Sequence, residues 1–122
     1  MLIDYIYLND NNDKRVFISN ILHDIKYGKN IDILRSIYND FDLSRIDSLN
    51  PGELRELCIL AVYIEQAFYN RWEEAPDWVH DKRLVLEDPH FIDVQTHDLV
   101  LHAPQACLNH NVFMLRNNFE VY

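Results

Sequence analysis

The stretch "NPGELRELCILAVYIEQAFYNRW", residues 50–72, decides the fold. Asn50 offers a side-chain acceptor to the first free N–H groups of a helix. Pro51 suits the first helical position, where no donor is lost, and Glu53 stands three residues after the cap, the spacing of a reciprocal capping box. From there Leu54, Leu57, Cys58, Ala61, Ile64 and Phe68 recur as one helical stripe, while Ile59, Leu60, Val62 and Tyr63 widen the apolar surface beyond a single face. The spacing predicts a helix running to Trp72 or beyond, about 22 residues and roughly 33 Å long. A helix apolar on so many sides is expected at the centre, with other elements packed around it.

Upstream, Asn9-Asp10-Asn11-Asn12-Asp13 is rich in side chains that bond nearby backbone, so a turn is expected there, capping the next segment. Phe17, Ile18, Ile21, Leu22 and Ile25 then form a helical stripe that Gly28 is placed to end. Asn30 can cap a second helix whose apolar stripe is Ile33, Leu34, Ile37, Tyr38 and Phe41. Residues 2–8 are too short and too evenly apolar to separate strand from helix.

Downstream the period fades. Pro76 and Pro89 bias their preceding residues away from helix and bound an irregular connection, "APDWVHDKRLVLEDPHF", residues 75–91. Within it Trp78 and Phe91 read as anchors tying a wrap onto the helices, with Phe113 a third anchor further on. Residues 93–101 suggest a short helix, and Pro104 can open another through Leu108. The tail "NVFMLRNNFEVY", residues 111–122, reads as a small hairpin turning at Asn117-Asn118. The expectation is a mainly α fold: one domain over residues 1–122, built on one long central helix, with an irregular wrap and a small C-terminal β-hairpin.

Charge narrows the function. The 122 residues carry a net charge of −9; residues 1–50 hold eight acids and six bases, residues 51–100 eleven and four, and residues 101–122 one of each. Nucleic acid is gripped by cationic side chains that displace counterions, so an acidic chain is a poor candidate for direct DNA or RNA binding. A basic protein partner suits it better. No run nears the roughly 20 apolar residues of a membrane helix, and the start lacks the pattern of a secretion signal, so no membrane contact and a cytoplasmic location are expected. Cys58 and Cys107, far apart and without a CxxC spacing, read as buried thiols.

Candidate chemistry is sparse. His90, His97, His102 and His110 fall within 21 residues, but their spacing matches neither an i, i+4 helical pair nor a finger pattern. Arg83 and His90 resemble the Arg and His pair of the HEPN ribonucleases; that resemblance implies a pair at the start of a helix, whereas here Pro89 intervenes. Glu73-Glu74, Glu87-Asp88 and Asp77 with Asp81 are acid pairs that a cleft could employ, but a solvated face is the simpler account of them. Only two glycines occur, Gly28 and Gly52, neither in a phosphate-cradling loop. No residue is assigned a catalytic or metal-binding role, and no cofactor is expected.

Pro76-Asp77-Trp78, Leu84-Val85-Leu86 with Pro89 and Phe91, Ala103-Pro104 and His110-Asn111-Val112-Phe113 form a pattern over residues 76–121. It resembles the C-terminal part of a family of small uncharacterised bacterial proteins, some of them neighbours of toxin–antitoxin or defence genes. That resemblance implies a bacterial or phage setting and a partner-binding role, without catalytic residues to carry over.

The expected function is a non-catalytic protein-binding module, an antitoxin-like neutraliser or inhibitor of a basic, nucleic-acid-acting protein. Its recognition surface is an acidic rim of Glu73, Glu74, Asp77, Asp81, Glu87 and Asp88. The alternative is a small hydrolase or ribonuclease using His90, His97, His102 or His110. A third possibility is a homo-oligomer that buries part of the long helix against its own copy.

Overall fold

The computed structural model describes residues 2–92, 100 and 102–120. The chain opens with a 3-10 segment, Leu2–Tyr7, which resolves the ambiguity of residues 2–8 in favour of a helical turn that buries Ile3, Tyr5 and Ile6. Helix α1 spans Asn11–Tyr27, and the Asp10 side chain accepts from Asn12 and Asp13 N–H at its start. Helix α2 spans Ile31–Tyr38 under an Asn30 cap, and a 3-10 segment lies beyond it at Leu43–Ser48. Helix α3 spans Pro51–Tyr69.

The α3 start is the capping box read from the sequence. Asn50 Oδ1 accepts from Glu53 N–H at 2.8 Å, and Glu53 Oε1 accepts from Asn50 N–H at 3.0 Å. Ten α3 residues from Leu57 to Phe68 are buried, and the helix packs against α1, the N-terminal 3-10 segment and the C-terminal elements. It ends at Tyr69, short of Trp72, because the chain turns left-handed there: Trp72 has φ 59°. Trp72 N–H bonds Tyr69 O at 2.9 Å and Glu73 N–H bonds Phe68 O at 3.0 Å, the double closure of a Schellman motif with tryptophan where glycine is usual.

Gly28 ends α1 for a packing reason. Its φ of −62° is open to any residue, but an added Cβ would run into Leu34 Cδ1 and lie 2.7 Å from Asp24 O. The carbonyls of Ile25 and Gly28 both accept from Arg71 Nη1 at 2.8 Å, so a side chain just past α3 completes the end of α1.

After α3 the chain wraps. A 3-10 turn, Asp77–His80, buries Trp78 and Val79. Trp78 Nε1 donates to Tyr38 O at 2.6 Å and its ring stacks on Phe41 with centroids 4.7 Å apart, which fastens the wrap to the end of α2. Strand β1 is His90–Phe91. Of residues 93–101, the span expected as a short helix, all but position 100 lie outside the described residues. Helix α4 spans Gln105–His110, two residues beyond the expected end at Leu108, and strand β2 is Val112–Phe113.

The fold is mainly α, with a small C-terminal strand pair, and that pair differs from the hairpin expected in the tail. β1 and β2 run parallel, His90 opposite Val112 and Phe91 opposite Phe113, with Phe91 and Phe113 stacked at 5.4 Å. The left-handed residue is Asn111, φ 60°, which closes α4 and swings the chain into β2. Asn117 and Asn118 instead sit in a 3-10 segment, Arg116–Phe119. Asn111 also donates from Nδ2 to Leu86 O at 3.0 Å, so one asparagine caps the helix and ties down the wrap.

α2 departs from its expected burial. Only Tyr38 is buried; Ile33 and Ile37, both 57% exposed, form an outward strip. Ile31, Leu34 and Phe41 make the remaining contacts with the core. No helix among the described residues is long and apolar enough to cross a membrane.

Candidate functional site

Two arrangements carry chemistry: a buried polar network and an acidic surface. The network centres on Glu65, in the C-terminal part of α3 and fully buried. Its Oε1 accepts from Asn109 Nδ2 at 2.9 Å and lies 3.6 Å from His110 Nε2, while Oε2 lies 3.2 Å from His80 Nδ1. His110 is buried as well, and its Nδ1 donates to the Leu84 carbonyl. A carbonyl only accepts, so the proton on Nδ1 is fixed and Nε2 faces the carboxylate. Among the described residues neither His110 Nε2 nor Glu65 Oε2 makes a hydrogen bond. Burial, then the adjacent Glu65 carboxylate, raises the Tyr69 hydroxyl above its ordinary range.

The network joins α3, the 3-10 turn of the wrap and α4 at one point, so it couples parts of the fold that are distant in sequence. His80 is the only member of the Glu65, His80 and His110 set with a half-exposed side chain, at 48%. A cleft of about 460 Å³ lies elsewhere, between α1 and the tail, lined by residues including Tyr5, Lys14, Arg15, Tyr63 and Asn118. Among the described residues no three His, Cys, Asp or Glu side chains are placed to hold one metal ion.

The histidines singled out from the sequence are dispersed. His90 is half-buried on β1, and burial, then the Arg55 charge, lowers its pKa. His102 is exposed, His110 belongs to the buried network, and His97 lies outside the described residues. Arg83 sits on irregular chain. Its guanidinium grips Asp81 through Nε and Nη2, both at 2.9 Å, and Asp47 through Nη1 at 2.9 Å. That grip holds the Asp81 carboxyl down to about 2. Cys58 and Cys107 are free and buried, and burial pushes the thiols up to about 12 and about 11.

The six carboxylates of the expected rim fall into two groups. Glu73 pairs with Arg35 at 3.1 Å and Asp81 with Arg83, so these two are neutralised within the chain. Glu74, Asp77, Glu87 and Asp88 are exposed and form no ion pair among the described residues. The anchors face inward: Trp78 is 2% and Phe113 4% exposed, with Phe91 half-buried against Phe113. Glu65 is the residue that sequence reasoning passed over. A carboxylate four residues after Ala61 and three before Phe68, on the apolar stripe, was the available signal.

No protein-family model, curated protein or solved structure matches the chain.

Proposed function

We propose that this protein is a protein-binding domain whose acidic wrap meets a basic partner, in the manner of an antitoxin-like neutraliser or an inhibitor of a nucleic-acid-acting protein. The observation that carries the reading is the set of four exposed carboxylates, Glu74, Asp77, Glu87 and Asp88, which form no ion pair among the described residues. They stand on a segment pinned by Trp78, Asn111 and the β1–β2 pair, so little chain entropy is lost on contact. A net negative field on a pinned segment, four such carboxylates against the exposed Lys82, steers and selects a partner of opposite charge.

The test begins with the tagged protein captured from its host at low salt and the stoichiometric partner identified. The reading expects a basic protein, and reversal of Glu74, Asp77, Glu87 and Asp88 to Lys should slow its association by about tenfold or more. A partner whose binding is indifferent to that reversal, or which is itself acidic, contradicts the reading. The enzyme alternative has weaker support, because His90, His102 and His110 occupy three different environments.

A further inference from the structure

Trp72 is 96% exposed, and nothing among the described residues covers its indole. It also holds the left-handed position of the α3 closure, φ 59°, which costs any residue with a Cβ and which glycine would occupy freely. Tryptophan is thus placed where the fold gains nothing from its side chain and loses by its backbone. Strain of this kind, retained with no intramolecular return, points to a use outside the chain.

The indole is presented on a fixed base. Arg71, on one side, is bound to the last carbonyls of α1. On the other side Arg35 takes Glu73 Oε2 at 3.1 Å and the Glu74 carbonyl at 2.8 Å. Both flanking cations are therefore occupied, Arg35 by Asp32 and Glu73 and Arg71 by backbone, whereas the exposed carboxylate of Glu74 two residues on is not. An exposed aromatic face two residues along the chain from an exposed carboxylate in no ion pair suits a planar cation, which can stack on the ring and pair with the carboxylate.

We propose that Trp72 is the anchor of the interaction surface and that its occupant is an arginine side chain of the basic partner, stacked on the indole and paired with Glu74. The inference rests on the acidic-surface reading and sharpens it to one residue type at one position. Buried aromatic anchors of this kind dominate interface energies once a partner covers them.

Calorimetric titration with oligo-arginine and oligo-lysine peptides of equal length, at low salt, tests it on the intact chain. Trp72→Gly is the variant, since glycine fits the left-handed turn and folding is not at issue. The wild type should bind the arginine peptide about tenfold more tightly than Trp72→Gly does, a factor within the range of a cation–π contact, and the lysine peptide should lose less. Its exposed-indole fluorescence should change on binding, while Trp78, the other tryptophan, stays buried. Peptide binding unchanged by Trp72→Gly but abolished by reversing Glu74 and Asp77 overturns the anchor and leaves the acidic surface standing. Failure of the wild type to bind either peptide overturns both. A dimer that Trp72→Gly dissociates in sedimentation assigns the indole to a second copy and overturns the arginine occupant.

Discussion

Glu65 Oε2 lies 3.2 Å from His80 Nδ1, a fully buried carboxylate meeting an imidazole that reaches solvent. The other oxygen is shared between Asn109 and the neighbourhood of buried His110, so one side chain of α3 closes the wrap and α4 onto the core. Removing it strands polar groups of both the wrap and α4. Glu65→Ala should cost about 3 kcal/mol in urea unfolding, in the range for leaving buried polar partners unsatisfied. His80→Ala, at a half-exposed site, should cost under about 1 kcal/mol. A double-mutant cycle should then show stronger coupling of Glu65 to Asn109, its hydrogen-bond donor, than to the half-exposed His80.

Trp78 is the fastening of the wrap. Trp78→Ala removes the Phe41 stack and the bond to Tyr38 O, and should cost about 3 to 5 kcal/mol, as large-to-small core changes do. Trp78→Phe keeps most of the volume and leaves the Tyr38 carbonyl without its donor; about 1 to 2 kcal/mol is expected. Chemical denaturation of both variants checks the ratio.

Trp72→Gly should stabilise the chain by about 1 kcal/mol, because the left-handed closure of α3 then carries no Cβ penalty. Gly28→Ala acts in the opposite direction, since its Cβ would meet Leu34 and Asp24 O. Thermal melts of the pair should move to opposite sides of the wild type.

The features legible in the sequence are local ones. The Asn50 and Glu53 box, the capping turn within residues 9–13, where Asp10 is the cap, and the Asn30 cap each involve residues two or three apart, and all three form. Ile33 and Ile37 mislead because periodicity reveals that a helix has an apolar face without revealing what covers it. The eight-residue α2 reaches the core through other side chains. The strand pair is hidden for a different reason: β1 and β2 have two residues each, too few for alternation to register, and they pair across more than twenty residues of chain. Glu65 escapes notice because its partners His80 and His110 are 15 and 45 positions away, and their convergence is a tertiary event.

Alkaline pH should weaken the fold. Burial raises Cys58 to about 12 and Cys107 to about 11, and burial, then the nearby Glu56 and Asp24 carboxylates, also raises Tyr5 and Tyr38. Groups raised in the folded state leave stability intact below their unfolded values, about 8.5 for cysteine and 10 for tyrosine, and reduce it as pH climbs toward the folded ones. A loss of about 4 to 5 kcal/mol between about pH 7.5 and 10 is expected in urea unfolding at constant m-value. Cys58 and Cys107 should stay inert to thiol reagents until the chain unfolds.

The acidic wrap is the centre of the functional account, and the association rate with the co-purified partner, measured against ionic strength, addresses it most directly. The wild type should associate more slowly as salt rises, and the variant with Glu74, Asp77, Glu87 and Asp88 changed to Lys should start slow at low salt and lose that dependence. A wild-type rate flat in salt, or a reversed variant that matches the wild type throughout, would contradict the account.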